Sequence, residues 1–511
     1  MKYLKLNFRR TSIKAILNIA PYFFFLVCIL GCTPNIEENK QAYKDITGHW
    51  KEYIVKDGEK EETSLRKIIV NSKGKLEQSI VYELATQCRI WLNDDEISYK
   101  NGHLEFWGGE FKGDISEDKN TFHLIYKQMD NPFLLERIQD IKTIQLIDSL
   151  ENCMGGEYTY SVPKNLDDNW ESVDLEQEGF NKKEIIDLIE DIIDGEYDDI
   201  HSLLIVKNGK LVLEEYFNSK GQIFGNYVNN VYRDRVQMLA SVTKSVNSAL
   251  IGIALQQGYI QDIDVPVFEF FPEYSELITE GKEKIKVKHL LNMSAGLQWN
   301  ELDISYNSSN NDVNKMENSD DIIKYCLAKP LVVNPGEKFN YNTGLSLVLG
   351  EIIKRVTGIE ADKYAEENLF KPLGISKYKW SRRKNNLLAT GGGLALRARD
   401  MAKIGQLFLN GGKWNGQQII PEDWIKASIR PNVSTPSGGY GYQWWTRSFK
   451  INDQKINAYY ANGRAGQFIF VFPELDLIVV STAQNYMRGY HRRFYKMMKN
   501  VILPALTGTI K

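Results

Sequence analysis

The sequence predicts an α+β protein: an antiparallel sheet with covering helices and a helical insertion, preceded by a small all-β barrel or sandwich. Three observations carry this. Apolar residues recur at helical spacing after Ser241, at Val242, Val246, Ala249, Leu250, Ile253 and Ala254. Two hairpin patterns lie far apart, with helical patterns before, between and after them. Ser202–Lys207 and Lys210–Phe217 flank Asn208-Gly209, whereas Phe468–Phe472 and Leu477–Ser481 flank Pro473–Asp476. Finally, short apolar or alternating runs fill residues 46–150, separated by turn dipeptides such as Asp-Gly, Asn-Gly and Gly-Gly.

In chain order, residues 1–31 read as a signal peptide and not as fold. Lys2, Lys5, Arg9, Arg10 and Lys14 precede a mostly apolar stretch from Ala15 to Leu30, which is short for a membrane span. The Ile29-Leu30-Gly31-Cys32 ending resembles a bacterial lipobox. That resemblance implies a lipid anchor at Cys32 and a lipoprotein of the periplasm or cell surface, expected on the outer membrane. Residues 32–45 are a polar tether.

Without the five basic residues of the signal, 58 Lys and Arg stand against 66 Asp and Glu, a net charge of −8. With no basic stripe, that excludes a nucleic-acid partner. Cys28 belongs to the signal and Cys32 to the anchor; Cys88 and Cys153 either pair in an oxidising compartment or remain free thiols. The six histidines are scattered, so no metal and no cofactor is expected.

Within 46–150 the expected strands are Trp50–Val55, Arg66–Val70, Leu76–Leu84, Arg89–Leu92, Leu104–Phe106, Thr121–Lys127 and Ile141–Ile147. Gly48-His49-Trp50 is similar to the opening of lipocalin-like barrels. It implies either a module for a glycan or cell-wall ligand or a structural spacer. Residues 151–175, with Gly155, Gly156 and Pro163, read as a linker.

The second domain spans 176–511. Asn181 caps a helix with Glu184 three residues on, in the pattern of a capping box. After the first hairpin comes the helix of Ser241, with a stop at Gly258. A short helix covers Lys286–Leu291, and residues 300–320 form a polar surface loop. Further helices run from about Leu345 to Val356, over Ala398–Leu409 and over Phe494–Ile502. Gly438–Thr446, rich in aromatics and glycine, either walls a pocket or packs a sheet.

The candidate chemistry lies in Ser241-Val242-Thr243-Lys244. A hydroxyl and an amine one helical turn apart face each other. A serine becomes a nucleophile when a base removes its proton, and lysine is such a base once desolvation or nearby cations lower its pKa. Tyr341, just ahead of a helix, can aim its hydroxyl into a cleft, but needs neighbouring cations to act as a base.

Ser241–Lys244, then Tyr341, then Gly463-Arg464-Ala465-Gly466-Gln467 occur in the order used by serine β-lactamases and penicillin-binding proteins. The region 176–505 resembles the class C β-lactamase-related serine hydrolases. Supporting stretches are His289-Leu290-Leu291, Ser294–Leu297, Pro335-Gly336-Glu337 and Gly391–Asp400. The resemblance implies a β-lactamase/transpeptidase-like fold with Ser241 as acylated nucleophile and Lys244 as its activator. It implies Tyr341 as general base and then acid, and the backbone N–H groups of Ser241 and Gln467 as oxyanion hole. Thr343, Arg464, Ala465 and Gly466 would contact substrate.

Two departures matter. The usual Tyr-x-Asn is Tyr341-Asn342-Thr343, and Arg464 stands where Lys or His is usual. Arginine could lower the pKa values of Tyr341 and Lys244 or grip a carboxylate, but cannot pass a proton. The expected activity is cofactor-free hydrolysis of a small ester or amide through an acyl-enzyme. Alternatives are a peptidoglycan D,D-peptidase or D-aminopeptidase, a β-lactamase, or a catalytically silent binding protein on the same fold.

Overall fold

The computed structural model describes strands and a turn between residues 48 and 139, and residues 158–506 apart from 198, 218–232 and 487–488. The expected signal peptide, the anchor Cys32, the tether and the Cys88 and Cys153 pair lie outside the described residues. So do the expected strands Arg89–Leu92 and Ile141–Ile147. Among the described residues no helix is long and apolar enough to cross a membrane.

The N-terminal strands are β1 (Gly48–Lys56), β2 (Glu59–Val70), β3 (Leu76–Tyr82), β4 (Ile97–Lys100), β5 (His103–Phe106), β6 (Phe111–Ile115), β7 (Thr121–Tyr126) and β8 (Phe133–Arg137). They hydrogen-bond in the order β3-β2-β1-β8-β7-β6-β5-β4. Each adjacent pair in that order is antiparallel, including β1 with β8. Trp50 is fully buried and sits opposite Arg137, whose guanidinium lies 4.3 Å from its ring centroid. β6 escaped the sequence pattern because Phe-Lys-Gly-Asp-Ile carries two residues poor in strand propensity.

The second part runs β9 (Glu171–Ser172), α1 (Lys182–Ile193), β10 (Ile200–Lys207), β11 (Lys210–Tyr216), β12 (Gln237–Met238) and α2 (Val242–Gln256). Then come α3 (Val287–Leu291), α4 (Asp312–Glu317), α5 (Ile322–Ala328), α6 (Thr343–Thr357), α7 (Ala361–Ala365), β13 (Tyr378–Trp380) and β14 (Leu394–Leu396). The chain ends with α8 (Ala398–Leu409), β15 (Lys413–Trp414), β16 (Gln417–Gln418), α9 (Glu422–Ile429), β17 (Val433–Thr435), β18 (Gly438–Tyr440), β19 (Trp445–Ile451), β20 (Gln454–Gly463), β21 (Gln467–Phe472), β22 (Leu477–Ala483) and α10 (Tyr490–Met497).

The main sheet has the order β17-β18-β19-β20-β21-β22-β10-β11-β9. Its pairings are antiparallel except β9 on β11. Asn208 and Gly209, both at positive φ (51° and 74°), close the first hairpin as expected. Alternate residues of each strand enter different cores, because side chains alternate across a sheet. Leu203, Ile205, Phe468 and Phe470 pack with α1 and α10. Leu204, Val206, Ile469 and Val480 pack with α2 and α8. Both faces are therefore covered, which is why β10 is buried along its whole length.

Three expectations change. The sequence gives α2 one buried face, yet every residue from Val242 to Ala254 is buried, including Thr243, Lys244, Ser245, Asn247 and Ser248. The sheet lies on one side of α2, and α6 and α7 close the other. At α1, Asn181 accepts from Lys183 N (3.2 Å) but meets Glu184 through its side-chain amide (3.0 Å), side chain to side chain. Third, residues 158–175 of the expected linker pack on the second part. Tyr160 and Trp170 are buried, and Arg399 of α8 holds Asp168 (2.7 Å), the Lys164 carbonyl (2.7 Å) and both oxygens of Glu214 (2.8 and 2.9 Å). The glycine- and aspartate-rich composition concealed these aromatic anchors.

Candidate active site

Ser241 is placed by strained backbone. β12 pairs with β14, and Leu239 N donates to Leu394 O (2.8 Å). Ala240 then turns through φ +46°, a left-handed conformation that a residue with a Cβ adopts at a cost of order 1 kcal/mol. Ser241 follows as N-cap of α2, and its side chain makes no capping hydrogen bond, so the hydroxyl is left for other work. Lys244 is wholly buried; its Nζ lies 2.9 Å from Ser241 Oγ and 2.5 Å from Gly391 O. The Gly391 carbonyl can come this close because a Cβ there would strike Thr343 Cγ2 at 2.8 Å. Burial pulls Lys244 down to about 8, with Glu301 opposing and Arg383 assisting.

Tyr341 lies one residue ahead of the α6 N-cap, Asn342, whose side chain accepts from Leu345 N (3.3 Å). The Tyr341 side chain neighbours Ser241, and Lys244 Nζ sits 5.1 Å from the tyrosine ring centroid. Its ring stacks on Trp445 at 5.8 Å and 21°. Burial pushes Tyr341 well above its usual 10, so it remains a neutral hydroxyl. The aromatic stretch divides its tasks: Tyr440 and Trp444 are core, whereas half-buried Trp445 walls the site beside Phe339 (5.7 Å).

The third motif reaches Ser241 through Gly463. A Cβ there would meet Leu239 O at 2.1 Å, so glycine lets the end of β20 lie against the turn before the serine. Ala465 and Gly466 follow at φ +69° and +99°, and Ser481 Oγ donates to Gly466 O (2.8 Å). Gln467 opens β21 opposite Gly463, so the two expected oxyanion donors belong to the N-cap of α2 and the first residue of β21. Arg464 is exposed, its guanidinium 4.5 Å from the Tyr306 ring and 5.2 Å from the Tyr486 ring. The cation that depresses Lys244 is Arg383, not Arg464 as the sequence suggests.

Sequence reasoning missed two buried polar residues. Gln443, at φ +63°, accepts from Ser245 (2.7 Å) and Ser346 (2.8 Å) and donates to Leu290 O and Leu291 O (3.1 and 2.9 Å), tying α2, α6 and α3 together. Glu301 lies in the 300–320 segment, which is anchored and not simply a surface loop. Thr343 donates both its N–H (2.8 Å) and its hydroxyl (2.6 Å) to the Glu301 carboxylate. A substrate group that reaches Thr343 Oγ1 therefore meets an acceptor. No spacing rule marks one glutamate in a polar run. Among the described residues no group of three or more His, Cys, Asp or Glu side chains could hold a metal ion.

The β-lactamase family model matches residues 201–493, more than half of the chain, and spans all three motifs. The chain belongs to the β-lactamase family. Among its relatives is the 6-aminohexanoate-dimer hydrolase of Paenarthrobacter ureafaciens, 25% identical over 309 residues, which cover 54% of this chain and 70% of that protein. A protein of Salmonella agona (strain SL483) named "Putative D-alanyl-D-alanine carboxypeptidase" is 27% identical over 218 residues, 39% of this chain and 48% of that one. The chain thus spans about half the length of that relative. The structure named "Putative 6-aminohexanoate-dimer hydrolase from Bacillus anthracis" superposes with a TM-score of 0.50 at 21% identity, covering 67% of this chain and 87% of that one. This likeness shows the shared fold.

Proposed function

We propose that the protein is a serine hydrolase that acylates Ser241 with a small ester or amide and then hydrolyses the acyl-enzyme. The observation that carries this reading is the buried Lys244 amine 2.9 Å from Ser241 Oγ, with the Tyr341 side chain beside the same serine. In its neutral form Lys244 takes the Ser241 proton as Oγ attacks the substrate carbonyl. The oxyanion forms between the backbone N–H groups of Ser241 and Gln467. Tyr341 is too buried to serve as an anion. It passes its hydroxyl proton to the leaving group and is reprotonated from Lys244. Water then attacks the acyl carbon, and the proton returns to Ser241 Oγ as the acid departs.

Arg464 supports a substrate bearing a carboxylate near the scissile bond. It is exposed, its guanidinium rests on two tyrosine rings, and a guanidinium fork matches a carboxylate. The half-buried Phe339 and Trp445 add apolar wall for an acyl chain. These features, with Thr343 in place of the usual Asn, favour an esterase or amidase acting on linear substrates over a β-lactamase.

The test is labelling with a fluorophosphonate probe, read by intact mass, beside Ser241→Ala. One adduct on the wild type and none on the variant is the expected outcome. Turnover of p-nitrophenyl esters, linear amino-acid amides, D-alanyl-D-alanine peptides and cephalosporins then ranks substrates. No adduct between pH 6 and 9 would overturn the reading in favour of a binding protein.

A further inference from the structure

Glu301 is 2% exposed and accepts four hydrogen bonds. Its Oε1 takes the hydroxyls of Tyr306 (2.7 Å) and Thr343 (2.6 Å). Its Oε2 takes Trp299 Nε1–H (2.8 Å) and the Thr343 N–H (2.8 Å). Two oxygens offer about four lone-pair positions, so all are filled, and every donor is neutral. The carboxylate is therefore closed to a substrate cation, and its charge is not cancelled by any group that bonds it. A buried charge without an ionic partner is costly, and here four neutral donors offset that cost.

We propose that Glu301 is a positioning residue of this site: it fixes the first turn of α6 beside Tyr341, and its negative charge, held there by these four bonds, favours the ammonium form of Lys244. The inference rests on the serine-hydrolase reading of Ser241 and Lys244. Trp299 and Tyr306 hold the carboxylate from its own segment, and Thr343 holds it from α6. Across the site its field reaches Lys244, Tyr341, Tyr440 and Cys326. The other charges are Arg383, which opposes it at Lys244, and Lys329, 5.6 Å from the Trp299 ring and paired with Asp312 (2.6 Å). Glu301 thus makes Lys244 easier to protonate, while burial and Arg383 make it harder.

Glu301→Gln separates charge from geometry. The amide oxygen can face the two fixed N–H donors. The NH2 group can face the two hydroxyls, which rotate to accept. Fold and contacts are kept, and the negative charge is removed. The expected result is that the midpoint of the fluorophosphonate labelling rate against pH moves down by at least about half a pH unit. Labelling at pH 7 then rises about threefold, with the high-pH plateau kept within tenfold. Thr343→Val, which removes one neutral donor and leaves the charge, should not lower the midpoint.

The Lys244 Cε resonance, assigned with Lys244→Arg and titrated in wild type and Glu301→Gln, reads the same midpoint without any turnover. An unmoved midpoint in both measurements overturns the proposal. A Lys244 resonance that shifts in a protein that labels nowhere sustains it and sinks the hydrolase reading alone.

Discussion

At the scale of single residues, the site divides proton work between two groups that burial drives apart. Desolvation disfavours whichever form is charged, so it lowers the Lys244 ammonium to about 8 and raises Tyr341. At pH 7 roughly a tenth of Lys244 is then a free amine, against well under a thousandth for an ordinary lysine. The acylation rate should therefore rise with pH and level off above about 8, since the amine and not the ammonium accepts the serine proton. Lys244→Arg retains a donor to Ser241 and to Gly391 O but never deprotonates. We expect it to lower acylation about 10²–10⁴-fold at every pH, without the rise. Comparing labelling rates of the two proteins between pH 6 and 10 checks this; an arginine variant that labels at wild-type rate would remove Lys244 from the role of base.

At the scale of elements, α3 shows how a motif residue can act through stability. His289 Nδ1 accepts the Lys286 N–H (3.1 Å), closing the first turn of a five-residue helix. Burial, and then Lys288 and Lys286, push His289 from 6.5 down to about 4. The unfolded chain therefore binds the proton between those values and the folded chain does not. The stability this group contributes is present above pH 6.5 and lost as pH falls toward 4, by at most about 2–3 kcal/mol. His289→Asn presents an acceptor that does not titrate, so the difference in urea midpoint between wild type and variant should narrow as pH falls from 7 to 4.5. The same contrast explains what the sequence discloses. His289, Ser241, Lys244 and Tyr341 could be read because short spacings and helix ends fix their geometry. Both hairpins could be read from turn chemistry and from short runs of β-branched and aromatic residues. Glu301, Gln443 and Arg383 could not, because each reaches the site from a separate loop, and nothing local in a chain encodes which distant loop will face a lysine. The strained φ values at Ala240, Met293, Gln443 and Ala465 were invisible for a related reason: none is a glycine, and the surrounding packing imposes the conformation.

At the scale of the whole molecule, residues 158–172 are sewn onto the sheet through two adjacent glutamates of β11 that point to opposite faces. Glu214 meets Arg399, Arg233 (2.9 Å) and Tyr216 (2.7 Å), a buried cluster in which two arginines face the carboxylates of Glu214 and Asp168. Glu215 accepts from a neutral phenol, Tyr158 OH at 2.7 Å, and is 5% exposed. Desolvation raises it from 4.5 to about 7; the Tyr158 bond and Arg233 hold it down and Glu214 pushes it up. The sign follows from proton counting. Between 4.5 and 7 the folded chain holds a proton that the unfolded chain has lost. The favourable contribution is complete below 4.5 and disappears as pH rises through 7, where an ionised carboxylate must be buried. Glu215→Gln keeps an oxygen for Tyr158 and never ionises. It should match the wild type at pH 5 and exceed it at pH 8.5, by up to about 2–3 kcal/mol. Denaturant midpoints at the two pH values decide it. A variant less stable than wild type at pH 8.5 would mean that the Glu215 charge is compensated, and that the 158–172 segment is held to the sheet by an ion pair and not by a hydrogen bond to a neutral acid.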